Sequence, residues 1–180
     1  FSVSPQTSLS PFKSKNLHVV EHAPKWAVDQ VIKNMRHRDV EELRDGVGMT
    51  PREALNYLVK QRGRIWTVYS LRSGAHVPAV MFGTYRASVI SGNGIVWMLA
   101  TDDIYGIKKD FLLRCQHFVD EMQRGYTVIY NYVDQRNRVS KRWLQWLGFT
   151  IEPCTPYGIR GKPFHRFYRI EQCVDQSPQP

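Results

Sequence analysis

Two segments constrain this chain more than any others. Ile95–Ala100 and Tyr126–Val133 carry apolar residues on both faces, so each reads as a strand buried on both sides. Between them lies Lys109–Met122, whose Phe111, Leu112, Cys115, Phe118, Val119 and Met122 follow the 3.6-residue period of one helix face. A strand, a crossover helix and a second strand make a right-handed unit with the strands parallel and adjacent. Ligands of such sheets bind beyond the carboxyl ends of the strands, at the helix N-terminus. Here that region is Thr101–Asp110.

The rest of the chain builds around this unit. Leu17–Glu21 reads as a short strand, and Trp26, Val28, Val31, Ile32 and Met35 mark a helix face. Asp39–Arg44 either extends that helix or starts another. Thr50-Pro51-Arg52-Glu53 has the capping threonine, first-turn proline and third-position glutamate of a helix start. Leu55, Leu58 and Val59 give that helix its apolar side, and Gly63 is expected to end it. Ile65–Leu71 and Val77–Ala87 are rich in β-branched and aromatic residues and turn at Ser73-Gly74. Arg138–Leu147 reads as a helix with Val139, Trp143, Trp146 and Leu147 inward. Phe149–Cys154 and Phe164–Gln172 close the sheet as a hairpin. The fold class expected is α/β: an antiparallel N-terminal meander, a parallel central pair and flanking helices, in one domain over 17–172. Residues 1–16, with five serines and two prolines, read as an extended polar arm, and 173–180 as a tail.

Charge and cysteine content narrow the function classes. The chain of 180 residues carries 25 Lys+Arg against 16 Asp+Glu, a net charge of +9. That surplus favours an anionic partner: nucleic acid, a phosphorylated ligand or an acidic protein face. The basic residues are scattered, which equally suits ordinary solvated faces. Cys115, Cys154 and Cys173 are odd in number and far apart, excluding a disulfide framework and any Cys-x-x-Cys knuckle. The six histidines do not cluster, so no metal site is expected. No apolar run spans a membrane and no leader opens the chain, so the setting expected is cytoplasmic or virion-associated rather than secreted. Trp97, Tyr126, Tyr130 and Tyr132 line the central strands and read as core packing.

The order of elements, with Asn137-Arg-Val-Ser-Lys-Arg-Trp-Leu-Gln-Trp-Leu-Gly148-Phe149, resembles the GNAT acetyltransferase superfamily. Its second half is similar to GNAT-like internal virion and assembly proteins of short-tailed bacteriophages. The resemblance implies acetyl-CoA as cofactor. Its pyrophosphate would lie on the turn Asp102–Asp110, held by backbone N–H groups and the helix end. The positions it carries over are Leu99, Ala100 and Thr101 at the strand end, Gly106, Ile107, Lys108 and Lys109 on the turn, and Asn137 with Ser140 on the last helix. An oxyanion donor is expected at the N–H of Leu99 or Ala100.

Two departures from the family pattern stand out. Of the usual glycines only Gly106 is present; Lys108 and Asp110 stand where small residues belong. The tyrosine acid of many members, seven residues beyond the asparagine, is Leu144 here, and no carboxylate base lies on the strand; Asp102 and Asp103 are nearest. Ser140 and Tyr132 are the hydroxyls within reach of the acid's role. No catalytic residue is assigned. These departures favour a catalytically reduced relative, a virion structural or assembly component whose arms contact protein partners. The alternative is an active acetyl-CoA-dependent N-acetyltransferase acting on an amine. A third reading has Arg136, Arg138, Lys141 and Arg142 contacting nucleic acid without sequence preference.

Overall fold

The computed structural model describes residues 16–72 and 74–171. The tail, Ser73 and all of the expected arm but Asn16 lie outside these residues. Seven strands form one sheet: β1 (Leu17–Val20), β2 (Gly63–Arg72), β3 (Ala75–Arg86), β4 (Asn93–Ala100), β5 (Val128–Asp134), β6 (Thr150–Tyr157) and β7 (Lys162–Ile170). Their order is β1-β2-β3-β4-β5-β7-β6, antiparallel throughout except for the central pair β4–β5. The helices are α1 (Lys25–Asn34), α2 (His37–Gly46), α3 (Pro51–Leu58), α4 (Ile104–Gln123) and α5 (Arg138–Trp146). This is the α/β architecture that the pattern of elements leads one to expect.

Each face of the sheet has its own core. On one, Val68, Phe82, Val96, Ile129 and Val133 pack against Phe111, Cys115 and Phe118 of α4 and Leu144 of α5. On the other, Tyr69, Met81, Trp97 and Leu99 pack against Val28 and Val31 of α1 and Leu55 and Leu58 of α3. Strand residues alternate between the two, as a pleated sheet buried on both sides requires.

The parallel ladder between β4 and β5 is short. It joins only Asn93–Ile95 to Val128–Tyr130. Asn131 ends it: Nδ2 donates to the Val96 carbonyl at 2.6 Å, while Oδ1 accepts the Tyr132 N–H at 2.8 Å. An asparagine side chain thus takes two backbone groups that a ladder would have paired. Beyond it the strands part, opening a gap in the middle of the sheet.

Three local expectations change, and one left open takes one of its two forms. Helix α4 begins at Ile104 rather than Lys109, because Thr101 Oγ1 accepts the Asp103 N–H and a tight first turn runs through Gly106. Gly63 does not end α3, which stops at Leu58 with its cap at Val59; it opens β2. Of the two readings left open for Asp39–Arg44, the separate helix is the one observed: α2 is set off by the extended backbone at Met35 and Arg36. In α5 the buried positions are Leu144 and, just after it, Leu147, while Val139 and Trp146 are 60% and 59% exposed. With i, i+3 and i+7 spacing, Ser140–Trp143–Leu147 defines the inner face; Val139 and Trp146 lie off it.

The capping box at Thr50 forms as read: Thr50 Oγ1 accepts the Glu53 N–H, and Glu53 Oε2 accepts the Thr50 N–H at 2.8 Å. At the other side of the same region, Gly158 has φ +74° and a Cβ there would overlap the Gly46 carbonyl and lie 2.8 Å from the Asp45 carbonyl. Gly158→Ala is therefore expected to destabilise the fold by about 2 kcal/mol or more, from left-handed strain plus backbone crowding. Urea denaturation measures it; a loss under about 0.5 kcal/mol would contradict this close approach.

Candidate active site

The gap between β4 and β5 opens into a cavity of about 630 Å³ that reaches both faces of the sheet. On the α4–α5 side it is walled by Phe111, Cys115, Trp143 and Leu144; on the α1–α3 side by Glu42, Tyr85, Trp97 and Tyr132. The half-exposed Val47 and Tyr57 mark an opening near the α2–α3 join. Burial pushes the Cys115 thiol far up, and its Sγ lies 3.1 Å from the Phe111 carbonyl, so it is a packing residue rather than a nucleophile.

Of the residues carried over from the resemblance, Leu99, Asn137 and Ser140 line this cavity. Ala100, Thr101, Gly106, Ile107, Lys108 and Lys109 lie outside its wall. Ala100 and Ile107 are core residues, at 0% and 3% exposure. Thr101 is buried against the carbonyls of Pro78 and Ala79. Lys108 and Lys109 are exposed on the first turns of α4.

The backbone sorts the expected oxyanion donors. Thr101 donates its N–H to Ala79, and the pairs Leu99–Met81 and Trp97–Gly83 follow in register. Alternation along an antiparallel ladder therefore turns the backbone groups of Leu99 toward β3 and those of Val96, Met98 and Ala100 toward the gap. The Ala100 N–H is held by Asp39 Oδ2 at 2.8 Å. Leu99 points away and Ala100 is engaged, so the strand edge facing the gap is at Met98.

Helix α2 supplies what sequence reading missed. The extended join before it bridges Met35 to Thr101, and the Arg36 N–H donates to the Ala100 carbonyl at 2.9 Å. Arg36 then clasps Asp39 through Nη2 at 2.8 Å and Nε at 3.1 Å. Burial raises the Asp39 pKa despite that guanidinium and the Ala100 N–H. One turn on, Glu42 Oε1 accepts the Asn137 Nδ2 at 2.7 Å. Asn137 Oδ1 in turn accepts from Arg38 Nη1 and from the Ser140 N–H, each at 3.1 Å. Burial, reinforced by the nearby Asp39 and Asp134, pushes Glu42 up to about 7, against the opposing pull of Asn137 and Arg38. Asp134 differs: Arg136 donates to it from Nη2 and from its own N–H, both at 2.7 Å, and holds its carboxyl below the usual range. The spacing of Asp39 and Glu42 at i, i+3 was the available signal. It places both on one helix face.

Met98, Asn137 and Ser140 together line the gap. On the first turn of α4, a Cβ on Gly106 would meet nothing within 4 Å, so neither packing nor backbone requires glycine there. The N–H groups of Ile104, Tyr105 and Gly106 donate to Thr101, Asp102 and Asp103, each at 3.2 Å. An anion at this turn would meet Lys108 and Lys109 as point charges rather than a glycine cradle. Among the described residues no group of His, Cys, Asp and Glu is placed to hold a metal ion, and no helix is long and apolar enough to cross a membrane.

No family model matches the chain, and no curated protein matches it. Solved structures do. A ribosomal-protein-S5-alanine acetyltransferase from Vibrio fischeri superposes with a TM-score of 0.62 at 20% identity, over 93% of this chain and 98% of that one. A GCN5-related N-acetyltransferase from Kribbella flavida gives 0.62 at 17% identity, over 86% and 98%. A spermidine N-acetyltransferase from Vibrio cholerae, solved with CoA and spermine, gives 0.62 at 12% identity, over 87% and 96%. At these identities the likeness concerns the fold: the chain has the architecture of the GNAT acetyltransferases.

Proposed function

We propose that the protein transfers an acyl group from acyl-CoA to a primary amine, with Glu42 as the general base. The observation that carries this reading is the single cavity through the parted strands, which joins Asn137 and Ser140 to Glu42. A fold shared with acetyltransferases supports it, although function resides in the site rather than in the fold.

Bound acyl-CoA would supply the activated acyl group. The chain's own residues do the rest. The gap at Met98, Asn137 and Ser140 would orient the thioester arm, and Lys108 and Lys109 would hold its phosphates. The amine would enter from the α1–α3 face. Glu42, poised near neutrality, would take the ammonium proton so that a neutral amine attacks. The apolar walls at Trp97, Trp143 and Leu144 would exclude water from the reacting carbonyl. Leu144 has no proton to give, so the departing thiolate would be protonated by solvent, directly or relayed through the Ser140 hydroxyl, which is reprotonated by the same water.

A catalytically silent relative is the second reading, favoured by Leu144 and by the internally bonded turn at Thr101–Gly106. The bacteriophage assembly role implied by the narrower resemblance draws nothing from the neighbours named above, which are acetyltransferases. The contacts expected through the arms involve residues outside those described, and nucleic-acid contact through α5 is a separate, weaker proposal.

Calorimetric titration with acetyl-CoA separates the two readings. The expected result is micromolar binding, with release of free thiol when an amine is added. A Lys108→Ala, Lys109→Ala double variant is expected to bind about tenfold more weakly, because two phosphate-facing charges are gone. No binding at millimolar acetyl-CoA would refute transfer.

A further inference from the structure

The α1–α3 side of the cavity has an unusual lining. Five tyrosines from four elements converge there: Tyr57 of α3, Tyr85 of β3, Tyr130 and Tyr132 of β5, and Tyr157 of β6. Tyr132 and Tyr157 lie nearly parallel, with ring centroids 3.7 Å apart, and Tyr57 meets Tyr85 edge-on at 6.1 Å. Packing alone accounts poorly for this set. Tyr57 is 44% exposed at the mouth, and the rings border open volume rather than fill it.

The same cluster already receives a cation. The Arg166 guanidinium sits 4.9 Å from the Tyr130 centroid while its Nη1 pairs with Glu152 at 2.7 Å. The faces of these rings are thus electron-rich surfaces of the kind that attract positive charge.

The charge count limits how much more the compartment accepts. Its lining holds two carboxylates, Asp39 and Glu42. Asp39 is matched by Arg36 in a two-pronged ion pair. Glu42 is bonded to the neutral amide of Asn137, while Arg38, exposed, reaches that amide's oxygen. One negative charge is left for a ligand to answer.

We infer that this compartment binds a monoamine borne on a flat aromatic body, its ring against Tyr132 and Tyr157 and its ammonium at Glu42. The inference rests on the transfer reading above and narrows its acceptor. A flat ring gains stacking and edge contacts that a puckered ring of equal area lacks. A polyamine would bring several charges to a site with one answering carboxylate, and its other ammonium groups would be stripped of water among the rings.

The test uses the full chain without acetyl-CoA, so that it does not depend on transfer. Calorimetry compares 2-phenylethylamine, 2-cyclohexylethylamine and spermidine. The aromatic amine is expected to bind about five- to tenfold more tightly than its saturated counterpart, and more tightly than spermidine. Tyr132→Leu is expected to erase the preference for the flat ring. Tyr57→Leu, at the exposed mouth where folding is little at risk, should reduce it. Equal binding of the two ring amines, tighter binding of spermidine, or acetyl-CoA binding with no amine binding would each overturn the inference. A ring preference without acetyl-CoA binding would uphold the compartment and overturn the transfer reading instead.

Discussion

Glu42→Gln is expected to lower kcat for acyl transfer by about 10²- to 10⁴-fold, the usual worth of a positioned general base. The substitution is nearly isosteric, and its amide oxygen can still accept from Asn137 Nδ2. In the wild-type protein kcat/KM should rise with pH through about 7, where burial has moved the Glu42 carboxyl. The variant should lose that limb. Stability should move the other way. The folded pKa of about 7 lies above the ordinary value of 4.5, so folding favours the protonated acid. The stability this contributes is present in full below about pH 4.5 and is lost as pH rises through about 7. Glutamine never ionises, so the variant should be the more stable protein above pH 7. The upper bound is about 3 kcal/mol, less where water reaches the carboxyl. A melt at pH 8 that shows no gain, together with an unchanged rate, would remove Glu42 from the mechanism.

The reasons why part of this molecule could be read from its sequence are physical. Ile95–Ala100, Lys109–Met122 and Tyr126–Val133 announce a parallel crossover because buried strands and amphipathic helices have different apolar periods. Thr50, Pro51 and Glu53 mark a helix start because the cap is a local hydrogen-bond pattern. Leu99, Asn137 and Ser140 are named by the resemblance alone, and all three line the gap.

What could not be read depends on contacts between distant residues. The bond from Asp39 to Ala100 spans 61 positions and the bond from Asn137 to Glu42 spans 95. No local period reports them. A helix bearing Asp39, Glu41, Glu42 and Asp45 looks like a solvated face until the sheet edge that it covers is known. Val139 and Trp146 misled for the converse reason: apolar residues on a short helix read as core, whereas helix geometry turns these two outward. Ala100 and Ile107 are implied as ligand contacts by the resemblance alone; their side chains lie in the core, which bears on no contact made by their backbone.

Asp39→Ala should be the most destabilising single change at the site, by about 3 kcal/mol. Asp39 is 7% exposed and holds two partners at once, the Arg36 guanidinium and the Ala100 N–H. Alanine leaves both without their acceptor. Removing one member of a buried pair costs more than the pair contributes, because the survivor stays desolvated. Arg36 keeps some contact with water, at 19% side-chain exposure, which holds the loss toward the lower end of the range for buried pairs. For a chain of this length the melting temperature should fall by roughly 6–12 °C. Asp39→Asn separates the two contributions. Its amide oxygen can still accept from Ala100, while the charge on Arg36 goes unanswered, so its loss should be about half that of alanine. The same bonds tie the join between α1 and α2 to the end of β4, so the effect should extend to the gap. With Asp39 gone, the Ala100 N–H faces the cavity beside Met98, and hydrogen exchange at that amide should quicken by more than the global loss explains. Asparagine and alanine losses that match would mean that the ion pair, rather than the Ala100 bond, holds this corner. A loss under about 1 kcal/mol for alanine would mean that α2 is not anchored there at all.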